Sequence, residues 1–218
     1  DVDLDVDVDL PEGYHAIELS SASDVLGRGM LAIAPPACYR PPALRGGRRF
    51  GVSVQLYGVR SRRNWGIGDF SDLGALAQTS HRLGADVVAI NPLHALFPDR
   101  PAQASPYSPS SRIFLNVLYL DVEAIPEFGH CEGARARFSA GEFQRALAAL
   151  RAAPLVDYEG VARAKLPMLE LLYHQARHDA ESGATSRWIA FDAFKTKGGD
   201  ALRHHALGPR GLGERGGQ

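Results

Sequence analysis

Between Phe50 and Asn91 the chain reads strand, helix, strand, and no other stretch restricts the fold as tightly. The run Phe50-Gly-Val-Ser-Val-Gln-Leu-Tyr57 is compact and rich in β-branched residues, as suits a strand buried in a sheet. Asp69 or Ser71 is placed to cap a helix on which Leu73, Leu76, Ala77 and Leu83 recur at helical spacing, and Gly84 closes it. Asp86 to Asn91 then forms a second apolar strand. A βαβ unit of this size implies two parallel strands joined by a right-handed crossover, so the expected class is α/β, either a barrel or a doubly wound sheet. In both, ligands gather at the carboxyl ends of the strands, which directs attention to the segments after Tyr57 and after Asn91.

The flanks fix the organisation. Upstream, Tyr14 to Leu19 and Met30 to Ala34 read as short strands around a Ser-Asp-Gly loop, and Asp1 to Leu10 alternates Asp with Val or Leu, like a half-buried edge strand. A calcium site made of those acids is disfavoured, because carboxylates on one flat face lack the convergent loop that calcium uses. Pro35 to Arg49 holds four prolines, two glycines and four arginines, a linker composition that puts a boundary near residue 49. Downstream, Pro92 to Pro109 contains five prolines and forms a long loop. Ile113 to Val122 is apolar again, and beyond Gly141 the pattern turns helical, through Phe143, Leu147, Leu150, Val161, Leu166, Leu169 and Leu172. Gly208 to Gln218 is Gly-rich with Leu212 as its one large apolar residue, and is expected to be a disordered tail.

Composition excludes several functions. A net charge of −1 over 218 residues gives no electrostatic reason to expect nucleic acid or an anionic membrane. Two isolated cysteines, Cys38 and Cys131, suggest neither a disulfide framework nor a zinc site, and no metal or cofactor is expected. No apolar run approaches membrane-spanning length and the N-terminus is acidic, so a cytoplasmic location is expected. The chain does not begin with Met, a hint of a fragment.

Two clusters carry candidate chemistry. Arg60-Ser-Arg-Arg-Asn-Trp-Gly-Ile-Gly-Asp-Phe70 follows the first strand of the βαβ unit. Trp65 beside Asn64 and Asp69 suits a sugar, since aromatic faces pack on pyranose rings while amides and carboxylates pair with vicinal hydroxyls. The same residues equally fit a buried Trp, a glycine turn and a helix cap. Gly66-Ile67-Gly68 is only half of a dinucleotide fingerprint, lacking its third glycine. The second cluster, Asn91-Pro-Leu-His-Ala-Leu-Phe-Pro98 with Ser105-Pro-Tyr-Ser-Pro-Ser-Ser111, is stiffened by proline, and can present His94, Ser105 and Tyr107 at fixed positions. For His94 a satisfied buried histidine is the competing reading.

These motifs, with Gln55-Leu56-Tyr57, Phe114-Leu115-Asn116 and Tyr119-Leu120-Asp121-Val122 in the same order, resemble the amylomaltase type of 4-alpha-glucanotransferase, glycoside hydrolase family 77. The resemblance spans roughly residues 10 to 207. It implies the beginning of a (β/α)8 barrel with a helical insertion over 50–207, preceded over 1–49 by the end of a small β-sandwich-like domain and linker, with an out-of-frame or disordered tail over 208–218. It further implies transfer of an α-1,4-glucan segment from a maltooligosaccharide donor to the 4-hydroxyl of glucose or a maltooligosaccharide, by a retaining double displacement. Tyr107 matches the family tyrosine lining the subsite next to the cleaved bond, with Ser105 beside it. Asn116 and Asp121 match a motif for which a structural role is expected. The family's catalytic carboxylates lie on later barrel strands, so this chain is expected to be a truncated piece without them, and its Asp69, Asp72, Asp86 and Asp121 match none of the three. A non-catalytic α-glucan-binding remnant is the alternative.

Overall fold

The structure, a computed structural model, describes residues 9–42, 46, 48–183 and 185–211, the side chains of 208–211 excepted. It divides into two compact units, residues 1–49 and 50–218.

In the first unit, β1 (Gly13–Ser20) and β2 (Val25–Ile33) form an antiparallel hairpin, in register from Gly13 opposite Ile33 to Leu19 opposite Gly27, with an irregularity between Leu19 and Ser20. The Ser21–Asp24 turn closes through the Ser21 N–H donating to the Asp24 carbonyl at 2.8 Å. Arg28 and Glu18 pair across the strands at 2.9 Å. Tyr14, Leu26 and Met30 all stand largely in solvent, as expected of a two-stranded ribbon that buries neither face. The edge strand anticipated over Asp1 to Leu10 lies, apart from Asp9 and Leu10, outside the described residues.

The second unit is mixed α and β. Strands β3 (Gly51–Val54) and β4 (Val87–Ile90) run parallel, joined through α1 (Phe70–Arg82). Gly51 is obligatory in that pairing, because a Cβ there would run into the Val87 carbonyl. The helix begins at Asp69, whose carboxylate accepts from the Asp72 N–H while the Asp72 carboxylate accepts from the Asp69 N–H, a complete capping box. At its far end Gly84 takes φ +85°, the left-handed conformation that lets the chain turn back into β4.

Beyond β4, the two-residue strand β5 (His94–Ala95) pairs antiparallel with β6 (Ser111–Leu115), so both ends of the proline-rich loop are held side by side. Helices α2 (Glu132–Ser139), α3 (Gly141–Ala152), α4 (Tyr158–Ser182) and α5 (Ser186–Gly211) follow. Asp157 caps α4 by accepting from the Gly160 N–H at 2.8 Å. Helix α5 runs through Gly208 to Gly211, four residues into the stretch read as a tail; residues 212–218 lie outside the described residues.

The core is not on the sheet. Leu56, Trp65 and Ile67 from the loop after β3, Leu118, Tyr119 and Val122 from the turn after β6, and Ala134, Leu147, Val161, Met168 and Leu172 from α2, α3 and α4 form one buried cluster. Val52 and Val87 stay more than 40 % exposed, contrary to the reading of β3 as a buried strand. Strand β3 also ends earlier than that reading, at Val54, because residues 56–58 wind into a short 3-10 turn.

Candidate functional site

The Arg60–Phe70 loop is a bolted structure rather than an open cleft. Arg63 reaches three carboxylates: Asp69 through paired bonds of 2.7 and 3.1 Å, Asp72 at 2.9 Å and Asp121 at 2.5 Å. Asp69 and Asp72 are buried, so the guanidinium answers charges that have left water, and the hydrogen bonds it donates to Asp69, first among them, raise its proton affinity further. Asn64, fully buried, donates to Asp72 Oδ2 at 2.8 Å and to the Val59 carbonyl at 3.1 Å. Arg151 of α3 closes the loop from outside, donating to the carbonyls of Asn64 (2.7 Å) and Arg63 (3.2 Å).

Trp65 and Asp69 therefore do not present sugar contacts here. Trp65 is 2 % exposed, stacked on Phe138 at 5.8 Å and edge-on to Phe143 at 5.2 Å, with its indole N–H donating to Glu123 at 3.0 Å. No ring face is left for a pyranose. Both oxygens of Asp69 are committed to Arg63 and to the helix start. The two glycines are likewise structural: Gly66 takes φ +85° and a Cβ there would press on Leu150, while one at Gly68 would strike the Leu56 carbonyl.

A second buried charge lies close by. Lys165, 1 % exposed on α4, donates to the carbonyls of Leu118 and Leu120, both at 2.7 Å. Burial pushes its ammonium down to about 8, with Asp69, Asp121 and Asp72 pulling the other way. Lys165 thus pins α4 to the turn that delivers Asp121 to Arg63. Sequence reading passed over it, although a signal exists: it shares the apolar stripe of Val161, Met168 and Leu172 at helical spacing.

At the carboxyl ends of the parallel strands the organising residue is Asn91. Its Oδ1 accepts from the Leu56 N–H at 2.7 Å, and its Nδ2 donates to the Pro92 carbonyl (2.8 Å) and the Tyr119 hydroxyl (3.0 Å). One amide thereby ties the ends of β3 and β4 to the turn after β6. Tyr158 and Tyr57 stand together here, ring centres 6.4 Å apart, and burial above all raises the Tyr158 phenol well beyond its ordinary range.

From this anchor the loop projects. His94 is half-buried on β5, opposite Leu115. Ser110 Oγ lies 3.0 Å from the Ala95 carbonyl and 2.7 Å from that of Leu96, closing the loop neck. At the tip the Ser108 N–H donates to the Ser105 carbonyl (3.2 Å), a tight turn that leaves Tyr107 64 % exposed and Ser105 exposed beside it. Of the five candidates, then, Ser105 and Tyr107 share one exposed turn, His94 sits at the loop neck, and Trp65 and Asp69 belong to the interior. Asn116 caps the following turn through the Leu118 N–H (3.0 Å), and Asp121 faces Arg63. Among the described residues no group of His, Cys, Asp and Glu could hold a metal ion, and no helix is long and apolar enough to cross a membrane.

Comparison with known proteins adds sequence-wide evidence. A family model described as 4-alpha-glucanotransferase matches residues 54–207. The 4-alpha-glucanotransferase of Haemophilus influenzae is 43 % identical over 190 residues, covering 87 % of this chain and 27 % of the relative. That of Mycobacterium tuberculosis is 38 % identical over 203 residues, covering 89 % and 26 %. Among solved structures, amylomaltase from Corynebacterium glutamicum superposes with a TM-score of 0.70 at 34 % identity, over 89 % of this chain and 27 % of that one. The chain thus spans about a quarter of the length of the relatives it matches.

Proposed function

The chain belongs to the 4-alpha-glucanotransferase family, and from that premise we propose that it supplies the first part of an enzyme moving α-1,4-glucan segments from a maltooligosaccharide donor to glucose or a maltooligosaccharide acceptor. The observation that carries the site assignment is Tyr107, largely exposed on a proline-stiffened turn in the loop that follows β4. There an aromatic face is open to a sugar ring, with Ser105 beside it and His94 behind at the loop neck. In this reading β3, α1 and β4 open a (β/α)8 barrel over 50–207, the helices after β6 are its insertion, and residues 1–49 end a smaller β-domain. A cytoplasmic location accords with it.

Retaining transfer needs a carboxylate nucleophile and a carboxylic acid about 5 Å apart, both facing the scissile bond. The three clustered carboxylates here, Asp69, Asp72 and Asp121, are turned onto Arg63 in the interior, so they are poor candidates for either task. That supports assigning binding to this chain and bond cleavage to residues outside it.

A chimera tests the proposal. The segment of the Haemophilus influenzae relative that aligns with residues 54–207 is replaced by this sequence, and disproportionation of maltotriose is followed. Activity is expected, with Tyr107→Ala lowering kcat/KM by about tenfold or more through loss of a sugar-facing ring. A folded but inactive chimera would sink the proposal. The alternative, a glucan-binding remnant without turnover, is favoured by the same exposed ring, and requires maltooligosaccharides to bind the 218-residue chain unaided; titration without heat or spectral change removes it.

A further inference from the structure

Helices α3 and α4 are joined by the short link 153–157 and fold back on each other: a Cβ at Gly160, in the first turn of α4, would strike Leu150 near the end of α3. Between the two helices lies a cleft of about 580 Å³, reaching to Arg137 at the end of α2. Its lining includes Ala146, Ala149 and Ala164, side chains too short to fill it. Four charged side chains line the same cleft. Asp157 stands where α4 begins and Arg163 follows it along that helix; Glu142 lies in the first turn of α3, and Arg137 precedes it in the last turn of α2. From the link to the far end the signs run minus, plus, minus, plus.

These charges are weakly answered within the chain. Asp157 gives one oxygen to the Gly160 N–H, while the exposed Arg163 guanidinium is 4.0 Å from Asp157 and 3.7 Å from Glu159, contacts too long and too wet to hold it. The side chains of Arg137 and Glu142 make no hydrogen bond or ion pair among the described residues. Beside Asp157, in the link itself, Leu155 is 80 % exposed, an apolar knob at the end of the hairpin.

From this we infer that the α3–α4 cleft is a self-association surface, through which two copies of the chain pair antiparallel about a two-fold axis. An alternating pattern of four signs is its own opposite when read backwards. Laid antiparallel on a second copy, it sets Asp157 against the second copy's Arg137 and Arg163 against its Glu142, and the axis repeats both pairs. The same arrangement carries each Leu155 toward the Ala140–Phe143 end of the other cleft, so that knob and hollow match. Laid parallel, the pattern meets like charge at every position, and a uniformly acidic or basic partner would meet it at half of them.

Sedimentation equilibrium of the 218-residue chain, at about 50 mM salt so that exposed charges are little screened, is expected to show a monomer–dimer equilibrium. Glu142→Arg and Arg163→Glu each create two like-charged contacts in the dimer and should each weaken it at least ~10-fold. The double variant exchanges the two signs and restores opposite charges, so it should return to within about threefold of the native chain. Arg145→Glu, the same change of charge as Arg163→Glu but on a residue of α3 that does not line the cleft, should also stay within about threefold. A chain that stays monomeric up to about 0.5 mM overturns the inference and leaves the cleft to a different partner. A dimer that the single reversals leave intact, or a double variant as weak as the singles, overturns it as well. No glucan enters the measurement, so its failure and the failure of the transferase proposal are distinguishable.

Discussion

Replacing Lys165 with Met should remove a pH dependence that the native chain shows. The ammonium is fully enclosed and held at about 8, against 10.5 in an exposed lysine. Below about pH 8 the folded and unfolded chains both carry the proton. Between pH 8 and pH 10 the folded chain sheds it while the unfolded chain keeps it, so the unfolded state binds more protons and stability rises with pH. With those two values the gain is about 2 kcal/mol across the interval, from the linkage relation. Tyr119 and Tyr158, raised by burial, act in the opposite sense as pH passes about 10, where unfolded phenols ionise and folded ones do not. The Met variant, of similar volume, retains both tyrosines and serves as the reference. Urea titrations read by tryptophan fluorescence supply the stabilities, since Trp65 lies in the same core. The difference between native and variant chains should move by about 2 kcal/mol in favour of the native chain from pH 8 to pH 10. A flat difference, or one of opposite sign, would refute the view that Lys165 is held charged at a cost. At neutral pH that cost and the two lost carbonyl bonds oppose each other, which makes the slope with pH the discriminating quantity.

Three further outcomes follow from the packing. Trp65→Leu empties the pocket between Phe138 and Phe143 and leaves Glu123 without its indole partner; a loss of about 3 kcal/mol is expected in the same titrations, with any glucan binding by the remaining folded chain unchanged. Tyr107→Ala should do the reverse, staying within about 0.5 kcal/mol of the native stability while losing glucan binding, because its ring is mostly in solvent. In hydrogen exchange, α4 amides near Lys165 should be protected at least ~100-fold more than those of β3 and β4, whose side chains form no core; equal protection would contradict the placement of the core.

The βαβ unit was legible because its signals are local: a β-branched run, a capping Asp or Ser before the helical spacing begins, and a glycine at the helix end. The exposure of that sheet was not, since a strand's pattern records how it is buried among neighbours, and among the described residues β3 and β4 pair only with each other. The site divided the same way. The Ser105–Ser108 turn could be read from its prolines, which fix backbone angles wherever they stand. The Arg63 cluster could not, because Asp121 comes to it only through a turn held by Lys165, more than 40 residues further along the chain.

The segment Asn64 to Asp69 shows why residue type alone left its role open. An amide, an indole and a carboxylate recognise sugar hydroxyls by donating and accepting hydrogen bonds over an apolar face, and a loop that lacks regular structure needs those same capacities to satisfy its own backbone. Here the loop takes them all: Asn64 serves the Val59 carbonyl and Asp72, Trp65 serves Glu123, and Asp69 serves the first turn of α1. What decides between the two uses is a count of partners, which sequence does not contain. Tyr107 falls on the other side of that count, its ring largely exposed on a turn whose neighbours are prolines and serines rather than charges, which is why the proposed sugar contact rests on it rather than on Trp65.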